Sequence, residues 1–331
     1  MKKIFVVSIS LLMFGCSSTS TLDYKTGNKQ LDLTSEINKK NWIHGTENCD
    51  GNRDKKIDVL SIDAKTYILR QSKCSSYEAP FIYLFIGSKK IAIIDTGATE
   101  DANLFSLFKT IKTIIENKSA NAKSDSIVKM SDQNILVLHT HSHGDHHEGD
   151  KQFRGYKNIT IIEPSPDGLI NDLGFTGNLD EEKVIDLGER KLTLFQIPGH
   201  QEESIAIYDE QSKWLLTGDT LYPGAIYVKN WSIFKSSIER IANFSEKDDV
   251  SAVLGSHIEM TMTPGEFYPI GSTYQPEESP LALSVNHIKL LQSKIKDIDE
   301  PTEMVFDDFV IIPLSGLQKI LASTIKFVMG K

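Results

Sequence analysis

The stretch Ile135-Leu136-Val137-Leu138-His139-Thr140-His141-Ser142-His143-Gly144-Asp145-His146-His147 decides how the rest of the chain is read. Four branched apolar residues in a row read as a buried strand, and the sequence behind them turns polar, with Gly144 and Gly149 allowing a sharp change of direction. Side chains alternate along extended backbone, so His141 and His143 point the same way and can grip one ion. Asp145 and His146 follow where the chain turns toward a helix, and they approach a second ion from another side. Neutral imidazole with carboxylate suits zinc, with iron or manganese as other occupants. Five of the nine histidines of the chain fall between His139 and His147.

Outward from this window, short strands rich in β-branched and aromatic residues alternate with helical patterns. Strands are expected at Phe81–Ile86, Lys90–Asp95, Asn134–His139, Asn158–Ile162, Lys191–Gln196, Ser204–Tyr208 and Lys213–Thr217, with another at Phe309–Pro313. Apolar residues recur at helical spacing in Leu104, Phe105, Phe108, Ile111, Ile114 and Ile115, in Ile233, Phe234, Ile238 and Ile241, and in Leu283, Ile288, Leu291 and Ile295. Strands bracketed by helices indicate a layered α/β fold. The chain has 331 residues, 40% of them hydrophobic, enough for a large core. Its net charge of −9 repels phosphate backbones and disfavours a nucleic-acid partner. Neither a Gly-x-Ser-x-Gly nucleophile elbow nor a phosphate-binding Gly-x-x-x-x-Gly-Lys-Ser/Thr loop occurs, so serine-hydrolase and nucleotide-hydrolase chemistry are not signalled.

The histidine window has the form His-x-His-x-Asp-His and resembles the metal-binding motif of the metallo-β-lactamase superfamily. Four further stretches resemble that family in order: Ile93-Ile94-Asp95-Thr96-Gly97, Ile197-Pro198-Gly199-His200, Leu216-Thr217-Gly218-Asp219-Thr220 and Leu254-Gly255-Ser256-His257. The resemblance runs from about residue 60 to 260. It implies an αββα sandwich, and because its motifs spread from Asp95 to His257, a single domain. Carried over position by position, it places His141, His143 and His200 on a first metal, Asp145, His146 and His257 on a second, and Asp219 between the two, with two Zn2+ per chain. Asp95 would orient the ligand loop by hydrogen bonding, as outer partners of metal ligands do. Tyr222, three residues after Asp219, would donate to the developing oxyanion. His139 and His147 fit no ligand slot and are read as structural, and His44 and His287 as surface residues. Tyr227, Trp231, Tyr268 and Tyr274 are candidates for an apolar cleft wall.

The resemblance also implies the chemistry. Two cations about 3.5–4 Å apart bring the pKa of a shared water from 15.7 toward 7. At 1.36 kcal/mol per unit this is worth roughly 12 kcal/mol in the cost of the hydroxide nucleophile. Asp145 would carry a proton to the leaving group. A small ester, lactone, thioester or related acyl compound is the expected substrate. Three other readings stand beside it: β-lactam cleavage, disfavoured because β-lactamases of this group usually carry Cys or Ser where this chain has Asp219; a mononuclear-iron oxidoreductase similar to persulfide dioxygenases; and a metal-binding lipoprotein without turnover. With 57 positions between His200 and His257 there is no room for the inserted domain of the nucleic-acid-processing branches.

Lys2 and Lys3 precede an apolar run from Ile4 to Phe14, too short at about 1.5 Å per residue to cross a hydrocarbon core of roughly 30 Å. This is the grammar of a signal peptide over residues 1–15. Gly15-Cys16 resembles the lipobox of bacterial lipoproteins, which implies a lipid on Cys16, a periplasmic location and anchoring to the outer membrane, the only membrane contact expected. Residues 16–40 read as a flexible tether and 41–331 as the catalytic domain with a helical cap at its C-terminal end. Export permits Cys49 and Cys74 to pair, closing a loop of about 25 residues worth roughly 3–4 kcal/mol. No pattern specifies an oligomeric state.

Overall fold

The computed structural model describes residues 28–120, 129–316 and 318. After helix α1 (Asn28–Lys39), six strands form a sheet in the order of the sequence: β1 (Ile57–Asp63), β2 (Thr66–Gln71), β3 (Phe81–Ile86), β4 (Lys90–Ile94), β5 (Asn134–Leu138) and β6 (Ile159–Ile161). Helix α2 (Leu107–Ala120) connects β4 to its parallel neighbour β5, and the short α3 (Gly144–His147) follows β5. The second sheet contains β7 (Glu182–Asp186), β8 (Lys191–Gln196), β9 (Ile205–Asp209), β10 (Trp214–Gly218), β12 (Ala252–Gly255) and β13 (Ala282–Leu283), in the spatial order β13-β12-β10-β9-β8-β7. A small third sheet joins β11 (Ala225–Val228), β15 (Val310–Pro313) and β14 (Met304–Val305). Helices α4 (Trp231–Lys247) and α5 (Val285–Ile295) complete the elements used below.

Alternation along the strands builds the layers. Phe81, Tyr83 and Phe85 of β3 join Leu194, Ile207, Trp214 and Leu216 in a core between the two large sheets. Their neighbours Ile82, Leu84 and Ile86 face the other way, onto Phe105, Ile111 and Ile115 around α2. On the far side, Phe195, Ala206, Leu215 and Val253 meet Phe234, Ile238 and Ile241 of α4 and Ile288, Leu291 and Ile295 of α5. Both sheets are covered on both faces, which explains why β3 is apolar throughout instead of alternating. The result is the expected αββα sandwich. Arg190 ties the sheets together away from the helices: it forms two 2.7 Å bonds to Asp209 and donates to the Lys65 carbonyl at 2.8 Å.

One expectation changes. Twelve residues of the presumed tether, 28–39, are helix α1, in which Ile37 is fully buried in the inter-sheet core and the Asn38 amide pairs with the backbone of Ala282. At the C-terminal end the expected apolar strand is β15, which pairs in parallel with β11 in the small third sheet, beside the helix α5. Strands β1 and β7 carry half-exposed, polar-rich sequence, and β12 to β14 are very short, so periodicity gave no warning of them. Leu104 and Ile233 of the helical stripes are exposed. The signal segment and Cys16 lie outside the described residues. No described helix is long and apolar enough to cross a membrane.

Candidate metal centre

Every predicted ligand sits where a strand ends. The 139–147 loop leaves β5, Asp95 leaves β4, His200 stands in the β8–β9 connection, Asp219 follows β10 and His257 follows β12. Parallel pairing of β4 with β5 and of β10 with β12 brings these carboxyl ends to one edge of the sandwich, the usual crevice of such sheets. Three backbone contacts lock the edges together: Ile205 N donates to the Thr140 carbonyl at 2.9 Å, Phe81 N to Ser256 at 2.8 Å, and the Tyr83 hydroxyl to Gly255 at 2.6 Å. Gly218 is in left-handed backbone (φ 53°), and a Cβ there would lie 2.7 Å from the Thr140 side chain, so the approach of the two loops requires glycine.

The ligand atoms converge in two sets, His141, His143, His200 and Asp219, and Asp145, His146, Asp219 and His257, with all atoms of each set within 4.8 Å of one another. His143 Nδ1 lies 3.0 Å from His141 Nε2 and 3.1 Å from His200 Nε2. In the second set, Asp145 Oδ2 is 3.1 Å from both His146 Nε2 and His257 Nε2. Asp219 serves both: its Oδ2 is 3.6 Å from His141 Nε2 and 3.5 Å from His146 Nε2, and its Oδ1 is 3.5 Å from His257 Nε2. Donors 2.0–2.1 Å from a tetrahedral zinc stand about 3.3 Å apart, so the spacing fits a metal in each set.

The outer ring nitrogens fix the tautomers. His200 Nδ1 donates to the Tyr227 carbonyl at 2.8 Å and His257 Nδ1 to the Glu78 carbonyl at 2.9 Å, so Nε2 is the nitrogen each turns inward, available to a metal once it is unprotonated. His146 Nδ1 donates to Asp95 Oδ2 at 2.9 Å. Ring nitrogens crowded around two carboxylates, together with a buried Asp219 Oδ1 that has no hydrogen-bond donor, suit cations. Burial, aided by neighbouring imidazoles, pushes His143 down to about 3 and His141 well below the usual histidine range. Burial opposes protonation at His257 too, but Asp219 and Asp145 outweigh it and raise this residue to about 9. The carboxylates of Asp145 and Asp219 are held well below their usual range, since His146 and His257 outweigh their burial.

Asp95 is fully buried, in left-handed backbone at φ 64°, and belongs to neither ligand set. Its carboxylate accepts from Thr140 N at 2.8 Å, Thr140 Oγ1 at 2.9 Å, His146 Nδ1 at 2.9 Å and Ser256 Oγ at 3.1 Å. It thus joins the residues beside His141 and His257 to His146 itself. His139 bridges the Ile162 carbonyl and Asp150, both at 2.9 Å, away from the metal sets. His147 packs edge-on against it, at 6.1 Å.

Tyr222 differs from expectation. Its single phenolic proton is engaged in the wall, 2.8 Å from the Ala225 carbonyl and 3.0 Å from Glu259 Oε2, leaving none for an oxyanion. The partner that takes it, Glu259, lies two residues after His257 and so on the same side of extended backbone, a signal present in the sequence and passed over. Glu78 acts through a backbone carbonyl, which no residue pattern reveals. The two histidines read as surface residues are half-buried: His287 caps α5 with Ser284 and meets Asp308 at 2.9 Å, and His44 packs against Tyr274. Cys49 and Cys74 are joined by a disulfide.

The ligands open into a cavity of about 580 Å³ lined by Tyr77, Tyr222, Tyr227, Tyr268 and Ile270 among others. Tyr227 and Tyr268 are wall residues as expected. Trp231 instead packs beneath α5's exit, donating to the Ile298 carbonyl at 2.9 Å, and Tyr274 lies at the surface.

The chain is 28% identical to the acyl-coenzyme A thioesterase MBLAC2 of Homo sapiens over 210 residues, covering 53% of this chain and 72% of that protein. It is 26% identical to the hydroxyacylglutathione hydrolase of Pelagibacter ubique (strain HTCC1062) over 159 residues, covering 43% of this chain and 60% of that one. Among solved structures, the metallo-beta-lactamase from Pontibacter korlensis aligns at 15% identity with a TM-score of 0.44, covering 73% of this chain and 99% of its own. The family model of the metallo-beta-lactamase superfamily matches residues 78–257. These residues make up more than half of the chain and contain every ligand described above, so the chain belongs to the metallo-β-lactamase superfamily, among its hydrolases.

Proposed function

We propose that this chain hydrolyses a small ester, thioester or lactone at a two-metal centre. The observation that carries the reading is Asp219, whose carboxylate lies between the two ligand sets, with Oδ2 near His141 and His146 and Oδ1 near His257, in the lining of a cavity large enough for a small acyl compound. Two zinc ions held there would supply a water ionised near neutral pH and a polarised carbonyl. The residues of the chain do the rest. His200 and His257, fixed by backbone carbonyls, hold their lone pairs toward the centre without reorientation during turnover. Asp145 directs Oδ2 at His146 and His257 and borders the cavity, so its second oxygen is placed to take a proton and pass it to the leaving oxygen or sulfur. The tyrosines of the wall exclude water around the acyl group. The relatives named as acting on acyl-coenzyme A and hydroxyacylglutathione support a thioester as the first compound to try.

Two complete ligand sets favour this over a mononuclear-iron oxidoreductase, and a shared carboxylate favours it over mere metal capture. Metal analysis of protein purified without added metal, followed by turnover of phenyl acetate, an acetyl thioester, a γ-lactone and a chromogenic cephalosporin, tests it. Two metals per chain and acyl hydrolysis abolished by Asp219→Ala are expected. One iron per chain with oxygen uptake would replace the reading with the oxidoreductase, and cephalosporin cleavage above all other activities with β-lactam hydrolysis.

The lipid anchor on Cys16 and the periplasmic location are part of the same proposal, and the Cys49–Cys74 bridge, which needs an oxidising compartment, supports them. Labelled fatty acid incorporated by the wild type but not by Cys16→Ser is the expected result, and equal labelling refutes it.

A further inference from the structure

One stretch of the cavity wall, formed by residues other than the ligands, is built around a buried amine. Lys73 is 2% exposed, yet it lines the cavity. Its one ion partner among the described residues is Glu278, at 3.5 Å, longer than a formed N–H···O bond. The same Glu278 oxygen is already held at 2.6 Å by Arg70 Nη2. Two cations therefore share one carboxylate, and the three N–H groups of Lys73 lack a close acceptor. Beside it, Gln275 is 4% exposed, and its enclosed Oε1 has no partner. A side-chain amide offers either its oxygen or its NH2 on a half-turn, so the position can donate.

Both residues belong to one stretch of wall. The segment around Gly45 is wedged between Lys73 and the 271–275 loop: a Cβ on Gly45 would lie 2.0 Å from the Thr273 carbonyl and 2.9 Å from Lys73 Cβ, and Gln275 N donates to the His44 carbonyl at 2.9 Å. A buried polar group left unpaired costs stability, and Gln275 Oε1 in the same wall as an amine with one distant partner makes this a place that a ligand group can complete.

We propose that Lys73 and Gln275 form an anion-recognising part of the cavity wall, which selects acyl substrates bearing a carboxylate remote from the bond that is cleaved. The proposal rests on the hydrolytic reading above. A carboxylate matches the site in size and charge: one oxygen for Lys73, one for the Gln275 amide, and a single negative charge for the one positive charge left over when Arg70 and Lys73 share Glu278. Glu259 and Glu278 nearby repel the second charge of a phosphate monoester. Burial lowers Lys73 to about 8, as expected of an amine whose compensating anion is not supplied by the fold alone. Glu78, which also lines the cavity, adds a negative charge that disfavours an anion on its part of the wall.

The test uses two pairs of probes with the metal-loaded protein: phenyl hydrogen glutarate against its carboxamide, and the acetyl thioester of 3-mercaptopropionate against that of 3-mercaptopropionamide. In at least one pair the carboxylate probe should have the higher kcat/KM by about tenfold, the factor carried by one hydrogen bond to a charged group. Lys73→Met should bring that ratio close to one, Lys73→Arg should retain it, and Gln275→Leu should lower it while leaving the fold intact by its melting curve. Ratios near one in the wild type for both pairs, or a ratio unmoved by Lys73→Met, overturn the proposal. If no probe is turned over, the hydrolytic reading fails, and the subsite is judged by calorimetric titration with glutarate and glutaramide. Glutarate bound about tenfold more weakly by Lys73→Met than by the wild type, with glutaramide unaffected, supports it, and equal glutarate binding overturns it.

Discussion

Replacing Asp95 by Asn changes one atom and should empty half of the metal centre. Oδ1 of Asp95 accepts from Thr140 N at 2.8 Å, so the amide oxygen of the variant takes that place and its NH2 group falls where Oδ2 now accepts from His146 Nδ1 at 2.9 Å. Two donors then face each other. The hydroxyls of Thr140 and Ser256 can turn and accept, but imidazole can relieve the clash only by moving its proton from Nδ1 to Nε2. That proton points at Asp145 and Asp219, and the lone pair meant for the second metal is lost. Loss of an outer partner of a ligand typically costs 10–100-fold in metal affinity, about 1.4–2.8 kcal/mol. Folding should suffer by about one charged hydrogen bond, roughly 1.5–3 kcal/mol. Competition with a chromogenic chelator reads the affinity, metal analysis the stoichiometry, and nitrogen chemical shifts of the imidazole the tautomer. The expected variant keeps its first metal and loses the second at chelator concentrations the wild type withstands. Two metals held with wild-type affinity, or His146 still protonated at Nδ1, refute the idea that Asp95 acts by setting this tautomer.

Metal uptake should depend on pH through His257: raised to about 9, it holds a proton that the second metal must displace, so affinity increases as pH rises toward 9 and uptake at pH 7 releases protons, measurable in weakly buffered dye solution. By the same linkage, the metal-free chain gains stability from this histidine that is fully present below its unfolded value near 6.5 and is lost as pH rises through about 9, so its Tm should fall over that interval. Arg190→Met leaves Asp209 buried without its two 2.7 Å bonds and should cost about 3–5 kcal/mol in a urea titration. A loss below 1 kcal/mol would show that water reaches the carboxylate. Cys49→Ser with Cys74→Ser should cost about 3 kcal/mol by opening a loop with a sequence separation of 25, and should raise KM more than it lowers kcat, because Cys74 adjoins the cavity residue Lys73.

The sequence was most legible where one residue type does one job. Metal ligands must be histidine or carboxylate, and two on alternate positions of a strand end cannot face apart, so His141 and His143 announce themselves. Strand β3 was readable to the residue because both of its faces are covered and all six side chains must be apolar. Helix α1 was not, since its three apolar residues, Leu31, Leu33 and Ile37, are thinly spread among nine polar ones and make only a weak stripe. The task of Tyr222 was misread for a different reason. A phenol three residues after Asp219 reaches many acceptors, and only the three-dimensional position of Glu259 decides which one takes its proton.

The same contrast separates reaction from substrate. Every atom that would hold metal or move a proton lies within residues 78–257, the span matched by the superfamily. Much of the cavity wall does not: Lys73, Tyr268, Ile270, Ser272, Gln275 and Leu314 all lie outside it. These flanking segments are held to each other by the 49–74 disulfide and the Gly45–Tyr274 bridge, and to the first sheet by Arg70 of β2 on Glu278. Substitutions there can reshape the cavity without disturbing the strand ends that place the ligands. A core held by buried alternation tolerates few changes, whereas a wall held by one disulfide, an ion pair and a few backbone hydrogen bonds tolerates many. Motifs therefore disclose the class of bond broken, and the choice of molecule is written in segments that need no motif to fold.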